Sequence, residues 1–304
     1  MIKIKSVSKS FDDLKVLENI SLEIADGTVY GLIGLNGAGK TTLLNIISGL
    51  YRADSGEVTV SCGEDEQPVF DNPYFKQRCF YLTDDPYFIR HSTLNGMKEF
   101  YKCVYPNWSD KAFDRLVSLF GLKPFTRISD LSKGMRKKAF LILALSSKAE
   151  YILLDEIFDG IDPAARITVR DLLNEYVMET GFTVMISSHD LYEVERICDT
   201  VGVLSGRRLL YSDEIFALKN SVFRYSIGFS TAPAENYTLG INCKNLSVIG
   251  NVLSFDSNES RDKIEKTLSA HAEILLFEAS SLTLSEIFKY ETEEDKNEVC
   301  NIFS

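Results

Sequence analysis

The apolar pattern changes character three times along the chain. Residues 2 to 24 hold two runs of alternating apolar positions divided at Asp12-Asp13, and period-two alternation predicts two strands joined by a turn. Val29 to Ile33 is an unbroken apolar run of strand length, followed by a Gly-rich loop and a predicted helix from Lys40 to about Ser48. Gly56 to Ser61 and Arg78 to Leu82 predict further strands. From about Thr93 to Ser147 the period becomes helical: Leu94, Met97, Tyr101 and Val104 share one predicted face. Ser109 is placed to cap a second helix carrying Phe113, Leu116, Val117 and Phe120, which Gly121 closes, and a third helix starts near Lys133. Strands return at Tyr151 to Leu154, Thr183 to Ser187 and Thr200 to Leu204, with helical stretches between them. This alternation predicts an α/β domain with a largely parallel sheet and a helical insertion.

Beyond about Phe216 the texture is different. Val222 to Phe229 alternates, Leu246 to Phe255 reads as a hairpin around Gly250-Asn251, and an amphipathic helix (Ser260 to Ala270), a strand (Glu273 to Phe277) and a last helix near Leu284 to Tyr290 follow. The expected division is a domain over 1–215, with its helical part at about 86–147, and a small α+β accessory domain over 216–304. The acidic stretch Glu291 to Glu298 is expected to be a solvated tail.

Composition is that of an ordinary globular protein. A formal charge of -11 argues against a general nucleic-acid surface, which needs clustered Lys and Arg to displace counterions. Arg136, Lys137 and Lys138 read as a solvated helix face. The six cysteines form no C-x-x-C pair and no zinc-type spacing with histidine, so reduced thiols are expected. The longest apolar run, Ala139 to Leu145, is far below the ~20 residues that span a bilayer.

Chemistry enters at Gly34-Leu35-Asn36-Gly37-Ala38-Gly39-Lys40-Thr41, which fits G-x-x-x-x-G-K-[ST] between a predicted strand and a predicted helix. Glycines let backbone N–H groups wrap phosphates closely, and the helix N-terminus, which includes Thr42, adds partial positive charge. Lys40 can reach the β and γ phosphates of ATP, and the Thr41 hydroxyl can ligate Mg²⁺. Tyr151 to Leu154 then delivers Asp155 and Glu156 at the end of a buried strand. Asp155 suits the metal and Glu156 suits polarisation of the attacking water.

The remaining motifs identify a family resemblance. Leu131-Ser132-Lys133-Gly134-Met135 resembles the ABC signature, and its Lys-Gly-Met ending is similar to a variant in bacterial exporter ATPases. Asp155-Glu156 running into Asp159-Gly160-Ile161-Asp162-Pro163 resembles a Walker B motif with its D-loop, and Ser187-Ser188-His189-Asp190 resembles the switch-histidine segment. Over about residues 1 to 215 the chain therefore resembles ABC ATPases. The resemblance implies a P-loop NTPase fold of the ABC ATPase type: a RecA-like parallel core, an antiparallel β subdomain and the helical insertion. It implies that two chains sandwich two ATP molecules, with Ser132 and Gly134 facing the partner's nucleotide, Asp162 acting across the dimer, and His189 contacting the γ-phosphate. It also implies adenine stacking on Phe11.

Two positions depart from the family pattern. Asp84 stands where the family carries a glutamine, and an aspartate can approach Mg²⁺ directly or through water. Ile157 replaces the proline that usually follows the catalytic glutamate.

The resemblance further implies an ATPase driving an exporter. Its partners would be separately encoded transmembrane permease subunits and a second ATPase, as homodimer or heterodimer, on the cytoplasmic face of the membrane. Leu284 to Phe288 is similar to a segment near the C-termini of exporter ATPases. A soluble ABC ATPase acting on nucleic acid or ribosomes, and a nucleotide-dependent regulator without turnover, are the competing readings.

Overall fold

The structure, a computed structural model, describes residues 1–62, 65–233, 238 and 240–292. They fall into two compact units, Met1–Ser212 and Asp213–Ser304. The first unit begins with β1 (Ile2–Phe11), β2 (Leu14–Ile24), β3 (Val29–Ile33), α1 (Lys40–Ile47), β4 (Ser55–Cys62), β5 (Asp65–Pro68), α2 (Pro73–Lys76) and β6 (Cys79–Leu82). It continues through α3 (Leu94–Val104), α4 (Asp110–Leu119), α5 (Lys133–Ser147), β7 (Tyr151–Asp155), α6 (Pro163–Thr180), β8 (Thr183–Ser188), α7 (Leu191–Glu195) and β9 (Thr200–Ser205). The strand β10 (Arg208–Glu214) runs across the division between the units.

Two sheets make the first unit. The larger has the order β10-β9-β3-β8-β7-β6, and the pairs β3–β8, β3–β9, β7–β8 and β6–β7 are parallel. β3, β7 and β8 are buried at every position, as strands covered on both faces must be. The smaller sheet, β2-β1-β4-β5, is antiparallel and alternates instead. Ile2, Ile4 and Val7 of β1 are buried while Lys5 and Ser6 are exposed. Ser6, at φ 51°, marks the irregularity that shifts the alternation so that Val7 faces inward. One apolar cluster joins the two sheets through α1, holding Ile4 and Val60 together with Leu43, Leu44, Leu153 and Met185.

The helical insertion is set by its caps. Thr93, Ser109 and Ser132 each accept a hydrogen bond from the amide three residues on, which starts α3, α4 and α5. α4 ends at Gly121, φ 63°, where Leu122 N donates to Val117 O and Gly121 N to Ser118 O. The expected α3 face is correct at Leu94 and Met97, but Val104 is exposed. The next residue, Tyr105, turns inward in its place and its hydroxyl donates to the Cys79 carbonyl at 3.0 Å.

In the second unit, α8 (Ile215–Lys219) precedes β11 (Phe223–Phe229), β12 (Lys244–Ile249), β13 (Val252–Ser257), α9 (Arg261–Ser269), β14 (Ile274–Ser281) and α10 (Leu284–Thr292). The sheet order is β12-β13-β11-β14, antiparallel throughout. Tyr225, Ile227, Leu253 and Phe255 pack against Ile264 and Leu268 of α9. The hairpin turns at Gly250, φ 61°, as expected. Cys79, Cys103, Cys198 and Cys243 are free thiols. Most of the acidic tail, from residue 293, and Cys300 lie outside the described residues. Among those that are described, no helix is long and apolar enough to cross a membrane.

Candidate active site

Residues 34–39 leave the buried end of β3 and re-enter the fold as α1. The turn into the helix is made at Gly39, φ 104°, where an added Cβ would meet Leu17 Cδ2 at 2.8 Å. No side chain caps α1. Its first amides, which have no intrahelical acceptor, therefore stay available to an anion. They border a cleft of about 260 Å³ lined by Leu35, Asn36, Gly37, Gly39, Lys40, Thr41 and Thr42, together with Val16, Asp84, Asp155 and Glu156.

Lys40 is almost wholly buried, and its Nζ donates to the Gly34 carbonyl at 2.6 Å and lies 3.0 Å from Glu156 Oε1. Burial of an ammonium is tolerable only with such partners. Thr41 Oγ1 donates to Asp155 Oδ2 at 2.6 Å, and Ser187 Oγ donates to Asp155 Oδ1. Asp155, 3% exposed, has these two hydroxyls and no Lys or Arg in ion-pair contact among the described residues.

Glu156 takes a left-handed backbone, φ 48°, an uncommon conformation for a residue with a side chain. Its amide donates to Ser187 Oγ at 3.1 Å and to the Ser187 carbonyl at 3.2 Å. Its carboxylate is held between the Lys40 ammonium and the His189 imidazole. Oε1 faces Lys40 without an aligned hydrogen bond, while Oε2 lies 3.0 Å from His189 Nδ1. Asp159 joins this pair: ligand-type atoms of Glu156, Asp159 and His189 lie within 4.8 Å of one another.

Asp84 lines the cleft, but its oxygens are turned to lysines of α5. Oδ1 is 2.7 Å from Lys137 Nζ and 3.0 Å from Lys133 Nζ, and Oδ2 accepts from Lys133 at 3.1 Å. Partial burial pushes this carboxyl up. The hydrogen bonds and charges of Lys137 and Lys133 outweigh it and hold the group below the usual carboxylate range.

The other expected residues lie apart from the cleft lining. Ser132 caps α5 through a 3.3 Å bond from Met135 N. Gly134 sits so close to the following loop that a Cβ would meet the Gly160 carbonyl at 2.2 Å. Asp162 caps α6, accepting from Ala165 N at 2.9 Å, and pairs with Lys138 at 2.8 Å, which holds its carboxyl low. Phe11 is half exposed at the end of β1, edge-on to Tyr51 with ring centroids 5.7 Å apart. Ala38 is held in the loop by its amide, which donates to Leu35 O at 3.1 Å.

Sequence reasoning missed Val16, Ser187 and Lys137. Ser187 stood within a motif, but a serine near a strand end gives no sign that it will orient an aspartate. Lys137 looked like one of three solvated charges, yet it is 1% exposed.

Comparison with known proteins now decides the family. A family profile described as ABC transporter matches residues 17–159. The chain is 30% identical over 232 residues to the ABC transporter ATP-binding protein YtrB of Bacillus subtilis, covering 76% of this chain and 78% of that one. It is 34% identical over 203 residues to the putative ABC transporter ATP-binding protein AlbC of the same organism, covering 65% and 84%.

The chain belongs to the ABC transporter ATP-binding proteins.

The fold agrees. A dimeric structure of the bacterial ABC transporter cassette MJ0796 superposes with a TM-score of 0.64 at 22% identity, covering 71% of this chain and 99% of that one. This ABC protein is an ATPase subunit of a transporter, and the uncapped start of α1 with Lys40 borders a cleft suited to an anion. A magnesium ion fits the residues beside it. The Thr41 hydroxyl and Asp155 carboxylate are hard oxygen donors side by side, and Asp155 is a buried anion in need of a cation.

Proposed function

We propose that this chain hydrolyses ATP to power export through separately encoded transmembrane subunits, with Glu156 as the general base. The observation that carries the reading is the placement of the Glu156 carboxylate. It follows the buried strand β7 beside the phosphate loop, fixed between Lys40 and His189, with one oxygen free of any aligned hydrogen bond. Such an oxygen is suited to accept a proton from water attacking a phosphate held on Lys40. His189, 3.0 Å from the same carboxylate, is placed to orient it and to meet the γ-phosphate. Thr41 and Asp155 would hold Mg²⁺, which neutralises charge on the phosphates and bridges them when bound. Phe11, half exposed at the end of β1, is assigned to adenine.

Ser132, Gly134 and Asp162 do not border the chain's own phosphate cleft. The placement of Ser132 and Gly134 at the start of α5 suits a second anion site, which supports the reading that they, with Asp162 beside them, serve the nucleotide of a second copy or of a related ATPase. A partner at the membrane has a docking place in the first unit. A cleft of about 310 Å³ near Asp84 is lined by Leu50, Tyr81, Pro86, Tyr87, Tyr101 and Tyr105, and Tyr87 is 85% exposed.

Affinity purification of the tagged chain from detergent-solubilised membranes of its source organism tests the assignment. The expected result is a complex with a polytopic membrane protein whose ATPase activity is lost with Glu156→Gln. An active chain that never enriches with a membrane protein overturns it. With inside-out vesicles, an exporter fills the lumen with cargo on addition of ATP, whereas an importer empties it.

A further inference from the structure

Lys137 is a buried charge that the reading above does not use. It lies on α5, the helix capped by Ser132, with a side chain only 1% exposed. Its ammonium donates to the Glu156 carbonyl and lies 2.7 Å from Asp84 Oδ1. Together the ammonium and the carboxylate form a close ion pair across that distance. Three facts meet at this point. Glu156 has a left-handed backbone that its neighbours must hold in place. A buried ammonium needs a counter-charge, and Asp84 is the carboxylate in contact with it. The ammonium also sits between α5 and the loop that follows β7.

We infer that Lys137 is a positioning residue: charge-balanced by Asp84, it fixes the backbone of Glu156 and so couples the signature helix to the catalytic carboxylate. This rests on the reading of Glu156 as the base. Asp84 accordingly acts through Lys137 and not as a metal ligand. Its two oxygens are already engaged by Lys137 and Lys133, which would have to be displaced before a cation could take them. The Asp84–Lys137 pair also makes mechanical sense of the Asp84 departure. A movement of the 83–86 segment pulls on an ammonium that holds the base, so whatever presses on that segment reaches Glu156 in one step.

The test uses the full-length chain, with ATP turnover measured at saturating Mg²⁺ and ATP binding measured with a fluorescent nucleotide. Lys137→Met keeps the buried stem and removes the charge. It is expected to lower kcat about 10- to 100-fold, the cost of a misplaced catalytic group, while KM and nucleotide affinity stay within about threefold. Asp84→Asn, at a half-exposed side chain that does not threaten folding, is expected to lower kcat in the same direction by a smaller factor. The Mg²⁺ concentration giving half-maximal activity should not move. The double variant should lose no more than Lys137→Met alone, because both act through one contact.

An unchanged kcat in either folded variant overturns the inference, as does a shift of the Mg²⁺ requirement of about tenfold or more in Asp84→Asn, the mark of a lost metal ligand. If Lys137→Met does not fold, Asp84→Asn decides alone by the same two criteria. Glu156→Gln run in parallel separates the two layers. Retained hydrolysis in that variant removes the base assignment itself, whereas loss there with full activity in Lys137→Met removes only the role of Lys137.

Discussion

At the scale of single residues, the site is a set of charges satisfying one another before any phosphate arrives. Lys40 is 3.0 Å from Glu156 Oε1, so the group that should hold a γ-phosphate is paired with the group that should activate water. Nucleotide binding has to exchange that pair for a lysine–phosphate contact. Glu156→Gln weakens the competing attraction for Lys40 and removes the proton acceptor. The expected outcome is ATP affinity at least equal to that of the parent chain, with kcat reduced by about 100-fold or more, read by equilibrium binding and steady-state turnover. A variant that binds ATP more weakly contradicts the proposed exchange. Phe11 gives a second case. Its ring is half exposed and touches Tyr51 edge-on, leaving surface for a base to stack. Removing it should weaken ATP binding about tenfold, near the upper end of what an aromatic pair contributes. An unchanged affinity in Phe11→Ala assigns the ring to packing with Tyr51 and Lys9.

At the scale of elements, what positions these residues is a small number of tight contacts between helix starts and loops. Gly134 is one of them: a methyl there would lie 2.2 Å from the Gly160 carbonyl, which belongs to the loop leading to Asp162. Gly134→Ala must push the start of α5 away from that loop. Ser132 and Asp162 would then shift against each other while the phosphate loop stays intact. The expectation is a destabilisation of about 1–3 kcal/mol, the usual cost of overpacking, with normal ATP binding and strongly reduced turnover. Thermal unfolding and binding assays separate these effects, and turnover equal to the parent's would show that the contact does not matter to the reaction.

The same scale explains what could be read in the sequence. β3, β7 and β8 were legible because strands covered on both faces must be apolar throughout. α4 was legible because Ser109 and Gly121 mark its ends. β5 was not, since Asp65-Glu-Gln-Pro has no apolar alternation and pairs by its backbone with β4. β10 was missed for a related reason, as Arg208 to Glu214 carries no buried residue. In the site, the phosphate loop and the two carboxylates were readable because their chemistry depends on residue type at fixed spacing. Lys137 was not, because three adjacent basic residues give no indication of which one the fold buries.

For the whole molecule, the chief consequence lies in how two copies would meet. Ser132 and Gly134 do not border the chain's own cleft, so under the proposed reading they complete the hydrolysis site of a second chain. Each copy carries a formal charge of -11, and ATP brings further negative charge to the place where the two would close. Long-range repulsion between like-charged chains slows their encounter, and salt screens it over a Debye length of about 8 Å at physiological ionic strength. The basic groups Lys133, Arg136 and Lys138 lie on the helix that Ser132 caps, but they already pair with Asp84, Asp85 and Asp162 and so offset little of that repulsion. A homodimer of the Glu156→Gln chain should therefore form with ATP, and form faster as ionic strength rises from about 0.01 M toward about 0.15 M. Light scattering after rapid mixing with ATP reads the rate directly. A heterodimer with a less acidic ATPase predicts a flatter salt dependence and little self-association. A chain that stays monomeric with saturating ATP and its membrane partners present excludes the shared site altogether, because no other source of Ser132-type contacts to the nucleotide would remain.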